Sequence, residues 1–198
     1  MRGLLVVVSG PSGVGKGTLI QELFARRSDC TFSVSATTRP ARPGEVEGQH
    51  YFFLSHETFE RWAAEGRFLE YNEVHGQLYG TPREAVDRAR DQGRHVLLDI
   101  DVKGGLDVMQ RDPSAVSVFI APPDMDTLRR RLVGRGTETP EQVARRLTVA
   151  RKEIEYIPFY EYTIVNDLLG QAVERLNCII EAESCLTKRL LEAGFSIP

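Results

Sequence analysis

Long apolar runs are missing from this chain. No stretch approaches the ~20 apolar residues that a membrane span requires, and the run after Met1-Arg2 is too short for a secretory leader. Cysteine is scarce as well: Cys30, Cys178 and Cys185 are odd in number and show no CxxC spacing. That pattern argues against a disulfide framework or a zinc ribbon and reads as free buried thiols in a cytoplasmic protein. His50, His56, His75 and His95 form no pair at metal-ligand spacing and read as surface or packing residues. Charge of one sign is lacking too, with 25 Lys and Arg against 28 Asp and Glu, a net −3. Neither long nucleic acid nor an anionic membrane is an expected partner, so any anion site has to be local. At 198 residues the chain can bury one substantial α/β core with small inserted lobes, while two full domains would be cramped.

What is present begins at the N-terminus. The apolar run Leu4 to Val8, rich in β-branched valine, suits a strand buried on both faces of a parallel sheet. Directly after it comes Ser9-Gly10-Pro11-Ser12-Gly13-Val14-Gly15-Lys16-Gly17-Thr18. Gly10, Gly13 and Gly15 can take positive φ and leave successive backbone N–H groups free to converge on one anion. Lys16 follows at a helix N-terminus, where unpaired N–H groups and the macrodipole already favour negative charge. The pattern Gly-x4-Gly-Lys is weak by itself, but a strand immediately before it and a helical pattern (Leu19, Ile20, Leu23, Phe24) after it make a phosphate cradle. The usual Ser or Thr after the lysine is replaced by Gly17. Either Thr18 supplies the magnesium ligand, or the ion is held mainly by nucleotide oxygens and water, which Mg²⁺ tolerates because it dehydrates reluctantly.

Four further runs read as core strands: Thr31–Ser35, His95–Asp99, Val116–Ile120 and Tyr162–Val165. Between the second strand and residue 81 lie short strands that the core does not require: Tyr51–Leu54, and a hairpin of 68–74 with 77–80. We read them as an inserted antiparallel lobe. Its entry, Ala36 to Gly44, carries Arg39 and Arg42 among prolines, either a stiff cationic claw for a phosphate monoester or an ordinary solvated loop. Thr81-Pro82-Arg83-Glu84 predicts a capping box, with Thr81 as N-cap. The His95 run ends in Asp99 and Asp101, at the carboxyl edge where open α/β sheets bind ligands; Asp101 can instead simply cap the next helix. After the fourth strand, an arginine-bearing helix, Gly134-Arg135-Gly136 and a second capping signature from Thr139 read as a lid. Most lid arginines are expected to be solvated, as are most arginines.

Several of these segments carry a family resemblance. Gly10 to Lys16, Ser35-Ala36-Thr37-Thr38-Arg39-Pro40-Ala41-Arg42-Pro43-Gly44-Glu45, Gly48 to Phe53, Phe68-Leu69-Glu70, Tyr79-Gly80-Thr81, Leu98 to Asp101, Gly134-Arg135-Gly136 and Ile164 to Asp167 resemble, in order and over nearly the whole chain, the guanylate kinases. Gly17 departs from the Ser usual in that family. The resemblance implies a P-loop α/β fold: a five-stranded parallel sheet flanked by helices, with an inserted antiparallel lobe that binds the nucleoside monophosphate and a helical lid. It implies one domain over 1–198, with core at about 1–34, 82–123 and 159–198, insertion at about 35–81 and lid at about 124–158. It further implies transfer of the γ-phosphoryl of ATP to GMP, and to dGMP, in cytoplasmic purine metabolism, with Mg²⁺ beside ATP and a monomer or weak homo-oligomer. By the same resemblance Gly10, Pro11, Ser12, Gly13, Val14, Gly15, Lys16, Gly17 and Thr18 bind ATP. Ser35, Arg39, Arg42, Tyr51 and Tyr79 hold the GMP phosphate, Glu70 and Thr81 read guanine, and Asp99 and Asp101 lie near the acceptor. Lys16, Arg39, Arg42, Arg135 and Arg146 are the expected catalytic cations. Two rivals remain at this point: a guanylate-kinase-like binding module of a scaffold protein, and a kinase for another small phosphate ester.

Overall fold

A computed structural model describes residues 2–74, 76–134, 139–192 and 194. Its centre is β1 (Leu5–Ser9), buried along its whole length. Alternate side chains of β1 serve different cores. Val6 and Val8 join one with Leu19, Ile20 and Leu23 of α1 (Lys16–Arg26) and Val173, Leu176 and Ile180 of α7 (Leu169–Ser184). Leu5 and Val7 join the other with Val86 of α3 (Arg83–Asp91) and Val102 and Val108 of α4 (Val102–Arg111). The period-2 pleat thus turns one unbroken apolar run into the middle layer of a helix–sheet–helix sandwich.

The parallel sheet has the order β2-β7-β1-β8-β9, with β2 at Cys30–Phe32, β7 at His95–Asp99, β8 at Val116–Ala121 and β9 at Tyr162–Val165. Both neighbours of β1 come later in the chain and lie on opposite sides of it, so the strand order reverses there. The crevice at such a switch point, beyond the carboxyl ends of the strands, is where ligands bind. The expected strand Thr31–Ser35 is shorter and earlier than predicted, because beyond Phe32 the chain leaves β7 for the inserted lobe.

That lobe is a second sheet in the order β4-β3-β6-β5, with β3 at Ala36–Thr37, β4 at Phe52–Phe53, β5 at Phe68–Val74 and β6 at Gln77–Pro82. The hairpin β5–β6 and the pair β3–β6 are antiparallel as expected, but β3 and β4 run parallel. The lobe is therefore mixed and not purely antiparallel: the long loop between Thr37 and Phe52 brings the chain back in the same direction. A small core of Ala36, Phe59 and Phe68 fills it, with Phe59 on α2 (His56–Ala64), a helix capped by Ser55. Leu69 belongs to the second main core, so the strand that carries the next residue, Glu70, is anchored to the body.

α5 (Met125–Val133) and α6 (Pro140–Ile154) follow β8, and the capping box at Thr139 forms as predicted. The one expected at Thr81 does not. Pro82 is the N-cap of α3 and Thr81 remains in β6, its hydroxyl turned elsewhere. A short α8 (Thr187–Glu192) follows α7. Cys30 is buried, which pushes its thiol up to about 11, whereas Cys178 and Cys185 are exposed, contrary to a packing role. Cys178 falls off the buried side of α7, whose apolar stripe is Val173, Leu176 and Ile180, and Cys185 is the C-cap of that helix.

Candidate active site

Gly10, Gly13 and Gly15 have φ of 143°, 87° and 98°, the left-handed region that only glycine enters without strain. Gly10 has a second reason to be glycine, since a Cβ there would lie 2.2 Å from the Ile120 carbonyl oxygen. Gly15 caps α1 without any side-chain partner, so the first-turn N–H groups stay available to an anion. Lys16 Nζ donates to the Gly10 carbonyl at 2.8 Å and lies 3.8 Å from Asp99 Oδ1. Together Pro11, Ser12, Gly13, Gly15, Lys16, Gly17, Thr18 and Asp99 line a cleft of about 410 Å³. Val14 is buried behind it.

The loop is held from outside by residues that sequence reasoning left without a role. Asn166, buried after β9, donates through Nδ2 to the Val14 carbonyl at 2.8 Å. Arg131 of α5 donates to the same carbonyl at 3.2 Å and to the Asp167 carbonyl at 3.3 Å. Asn166 was visible only as a letter in a matched motif, and Arg131 as one of three adjacent arginines on a surface helix. Neither carries a spacing that reveals a partner more than thirty residues away. Arg146 of α6 reaches Ser12 Oγ at 2.9 Å, which brings one predicted lid arginine to the phosphate loop. Arg135 lies outside the described residues.

A second cleft, of about 630 Å³, runs between the sheet edge and the lobe and is lined by Ser35, Tyr51, Thr81 and Asp99 among others. Asp99 thus borders both clefts. Crowding by protein pushes its carboxyl up from the ordinary value, and the Lys16 ammonium opposes that shift. At the lobe, the Arg39 guanidinium lies 5.5 Å from the Tyr51 ring centroid, and Tyr51 meets Tyr79 edge-on at 6.1 Å. Arg42 is exposed on the same loop.

Glu70 is buried at 7 % exposure and accepts a hydrogen bond of 2.6 Å from Thr81 Oγ1 through Oε1. Burial pushes its pKa up, the Thr81 hydroxyl pulls it down, and the Asp101 and Asp107 carboxylates raise it further. Oε2 faces Gly104, where a Cβ would stand 3.4 Å away, so a side chain at that position would crowd the carboxylate. Asp101 is the N-cap of α4, with Oδ1 accepting from the Gly104 N–H at 2.7 Å. The capping reading of Asp101 is therefore correct, while the residue also stands near Glu70.

A further cavity of about 490 Å³ opens at the opposite, amino edge of the sheet among Arg2, Arg90 and Arg189. Each of these cations already faces an acid: Arg2 pairs with Asp87, Arg90 with Asp112 at 2.9 Å, and Arg189 with Glu183 at 3.1 Å. The carboxyl edge differs in its backbone: beside Lys16 the first turn of α1 has no side-chain cap, an arrangement suited to an anion.

A family model described as guanylate kinase matches residues 2–183. A guanylate kinase of Symbiobacterium thermophilum is 53 % identical over 188 residues, covering 95 % of this chain and 89 % of the relative. One from Desulfitobacterium hafniense is 48 % identical over 188 residues, covering 95 % and 94 %. The crystal structure of guanylate kinase from Anaplasma phagocytophilum superposes with a TM-score of 0.71 at 36 % identity, covering 95 % of this chain and 89 % of that one. The SH3-kinase fragment of tight junction protein 3, at TM-score 0.52, 14 % identity and coverage of 92 % and 57 %, shares the fold alone.

Proposed function

The chain belongs to the guanylate kinase family, and from that premise we propose how its residues divide the work between two nucleotides. The enzyme transfers the γ-phosphoryl group of ATP to GMP, giving ADP and GDP. The observation that carries the division is the position of Asp99, on the border of a glycine-rich anion cleft and a cleft walled by the lobe.

In this reading the amides of Gly10 to Thr18 and the Lys16 ammonium hold the ATP phosphates, and Arg146, with Arg135, adds charge from the lid. Ser35, Arg39, Arg42, Tyr51 and Tyr79 receive the GMP phosphate. Guanine presents adjacent N1–H and N2–H donors, which the Glu70 carboxylate can accept together. One hydroxyl hydrogen cannot serve Glu70 and guanine O6 at once, so we assign Thr81 first to orienting Glu70. Asp101 faces the acceptor while capping α4. Phosphoryl transfer asks little covalent chemistry of a protein: two polyanions must be aligned and their charge neutralised, which cations and oriented N–H groups do without a nucleophile.

The site fits Mg²⁺ held mainly by phosphate oxygens and water. Among the described residues no cluster of three or more His, Cys, Asp and Glu offers an all-protein cage. Gly17 presents no hydroxyl, and a Cβ there would meet Asp99 Oδ2 only at 3.7 Å. Thr18 and Asp99 are the residues that would face the ion or its water shell. When bound, the ion would supply neutralisation of the ATP phosphate charge. Single-domain organisation, with a lobe at about 35–81 and a lid at about 124–158, cytoplasmic residence and use of dGMP belong to the same proposal. A coupled assay with ATP against GMP, AMP, UMP and CMP tests it. GMP should be the one efficient acceptor, and equal turnover of AMP would contradict the guanine reading.

A further inference from the structure

Glu45 has no role in the division above, and it is an acid in a loop that faces an anion. Its carboxylate nonetheless accepts three hydrogen bonds from the two arginines. Arg39 Nη1 donates to Oε2 at 3.0 Å and Arg39 Nη2 to Oε1 at 2.8 Å, a two-pronged pair. The Arg42 N–H donates to the same Oε2 at 2.6 Å, and the Glu45 N–H returns to the Arg42 carbonyl at 3.0 Å, closing a turn through Gly44 at φ 88°. One side chain therefore fixes the guanidinium of the first arginine and the backbone of the second.

We infer that Glu45 is a positioning residue for the GMP phosphate, holding Arg39 and Arg42 in the arrangement that receives it. The inference rests on the reading that these two arginines bind that phosphate. Arginine has five N–H donors. Arg39 commits two to Glu45 and one to the Pro40 carbonyl at 2.7 Å, while its plane is kept near the Tyr51 and Phe53 rings, at 5.5 and 6.0 Å. The remaining donors then point in a set direction instead of sampling many rotamers. Preorganisation of this kind strengthens binding by removing the ordering cost from the binding step. The arrangement also lowers the charge of the claw, since Arg39, Arg42 and Glu45 sum to +1 where the arginines alone would give +2.

The two effects have opposite signs, which makes the inference testable. Replacing Glu45 by Gln keeps the size and one acceptor oxygen but adds a unit of positive charge to the loop. If charge alone governed the claw, Glu45→Gln would bind GMP more tightly. Positioning predicts the reverse: KM for GMP rises about tenfold, because the charge-assisted fork to Arg39 is lost, while KM for ATP and kcat change less than twofold. Calorimetry without ATP should show the same loss for GMP and none for guanosine, which lacks the phosphate; a collapsed lobe would weaken both. Arg39→Ala, measured alongside, separates the layers. A GMP KM unchanged or lowered in Glu45→Gln, with Arg39→Ala still damaging, overturns the role of Glu45 alone. An Arg39→Ala variant with normal KM for GMP removes the phosphate assignment and this inference with it.

Discussion

The Thr81 hydroxyl donates to Glu70 Oε1 at 2.6 Å across the β5–β6 pair, both residues buried. This pairing occupies the group that sequence spacing assigned to a helix cap. It also fixes the orientation of the carboxylate, with Oε2 turned toward Gly104. Thr81→Val removes the donor while keeping the shape. A buried carboxylate that loses such a bond forfeits about 1.5–3 kcal/mol, so kcat/KM for GMP should fall roughly tenfold to a hundredfold. Thr81→Ser should restore most of it. Steady-state kinetics with an unchanged GMP efficiency in Thr81→Val would remove Thr81 from the site.

The raised pKa of Glu70 gives two dependences on pH. For stability, the folded carboxyl holds its proton more tightly than the unfolded one, whose ordinary value is 4.5. The fold therefore loses stability as pH rises from 4.5 through the raised value. Glu70→Gln, which cannot ionise, should melt higher than the parent at neutral pH and equally near pH ~3, where both the folded and the unfolded parent are protonated. For function, the protonated acid no longer accepts both guanine N–H groups. KM for GMP should climb as pH falls through that same value while KM for ATP stays flat. A melting difference that grows toward acid pH would contradict the assignment.

Asn166 ties the end of β9 to the phosphate loop at the Val14 carbonyl. Asn166→Ala leaves that acceptor with only the longer Arg131 contact and should cost about 1–3 kcal/mol in stability. Because the loop's N–H groups are aimed by its backbone, KM for ATP should rise more than KM for GMP. Equal increases for both nucleotides would point to general loosening instead.

The core of this fold was open to sequence reading because β1 and β7 pack on both faces and therefore spell continuous apolar runs. The phosphate loop was equally open, since its glycines adopt the positive φ that their spacing suggested. What sequence obscured was set by distant partners. β2 stops at Phe32 because β7 no longer pairs with it, and β3 and β4 are two-residue strands whose parallel pairing no local pattern encodes. Thr81 satisfied every local rule for a cap and was diverted by a buried carboxylate eleven residues earlier in the chain. Asn166 and Arg131 act on the phosphate loop through contacts that cross the whole sequence, and only three-dimensional structure reveals them.

The central claim is that one buried carboxylate selects guanine. It is tested most directly by comparing kcat/KM for GMP and AMP, with saturating ATP, in the parent and in Glu70→Gln. Gln replaces one acceptor oxygen by a donor amide, which faces a guanine N–H with another N–H and leaves a buried group unpaired. The GMP-to-AMP ratio should drop by roughly tenfold to several hundredfold, with KM for ATP unchanged. A ratio identical in the two proteins would show that guanine is read elsewhere.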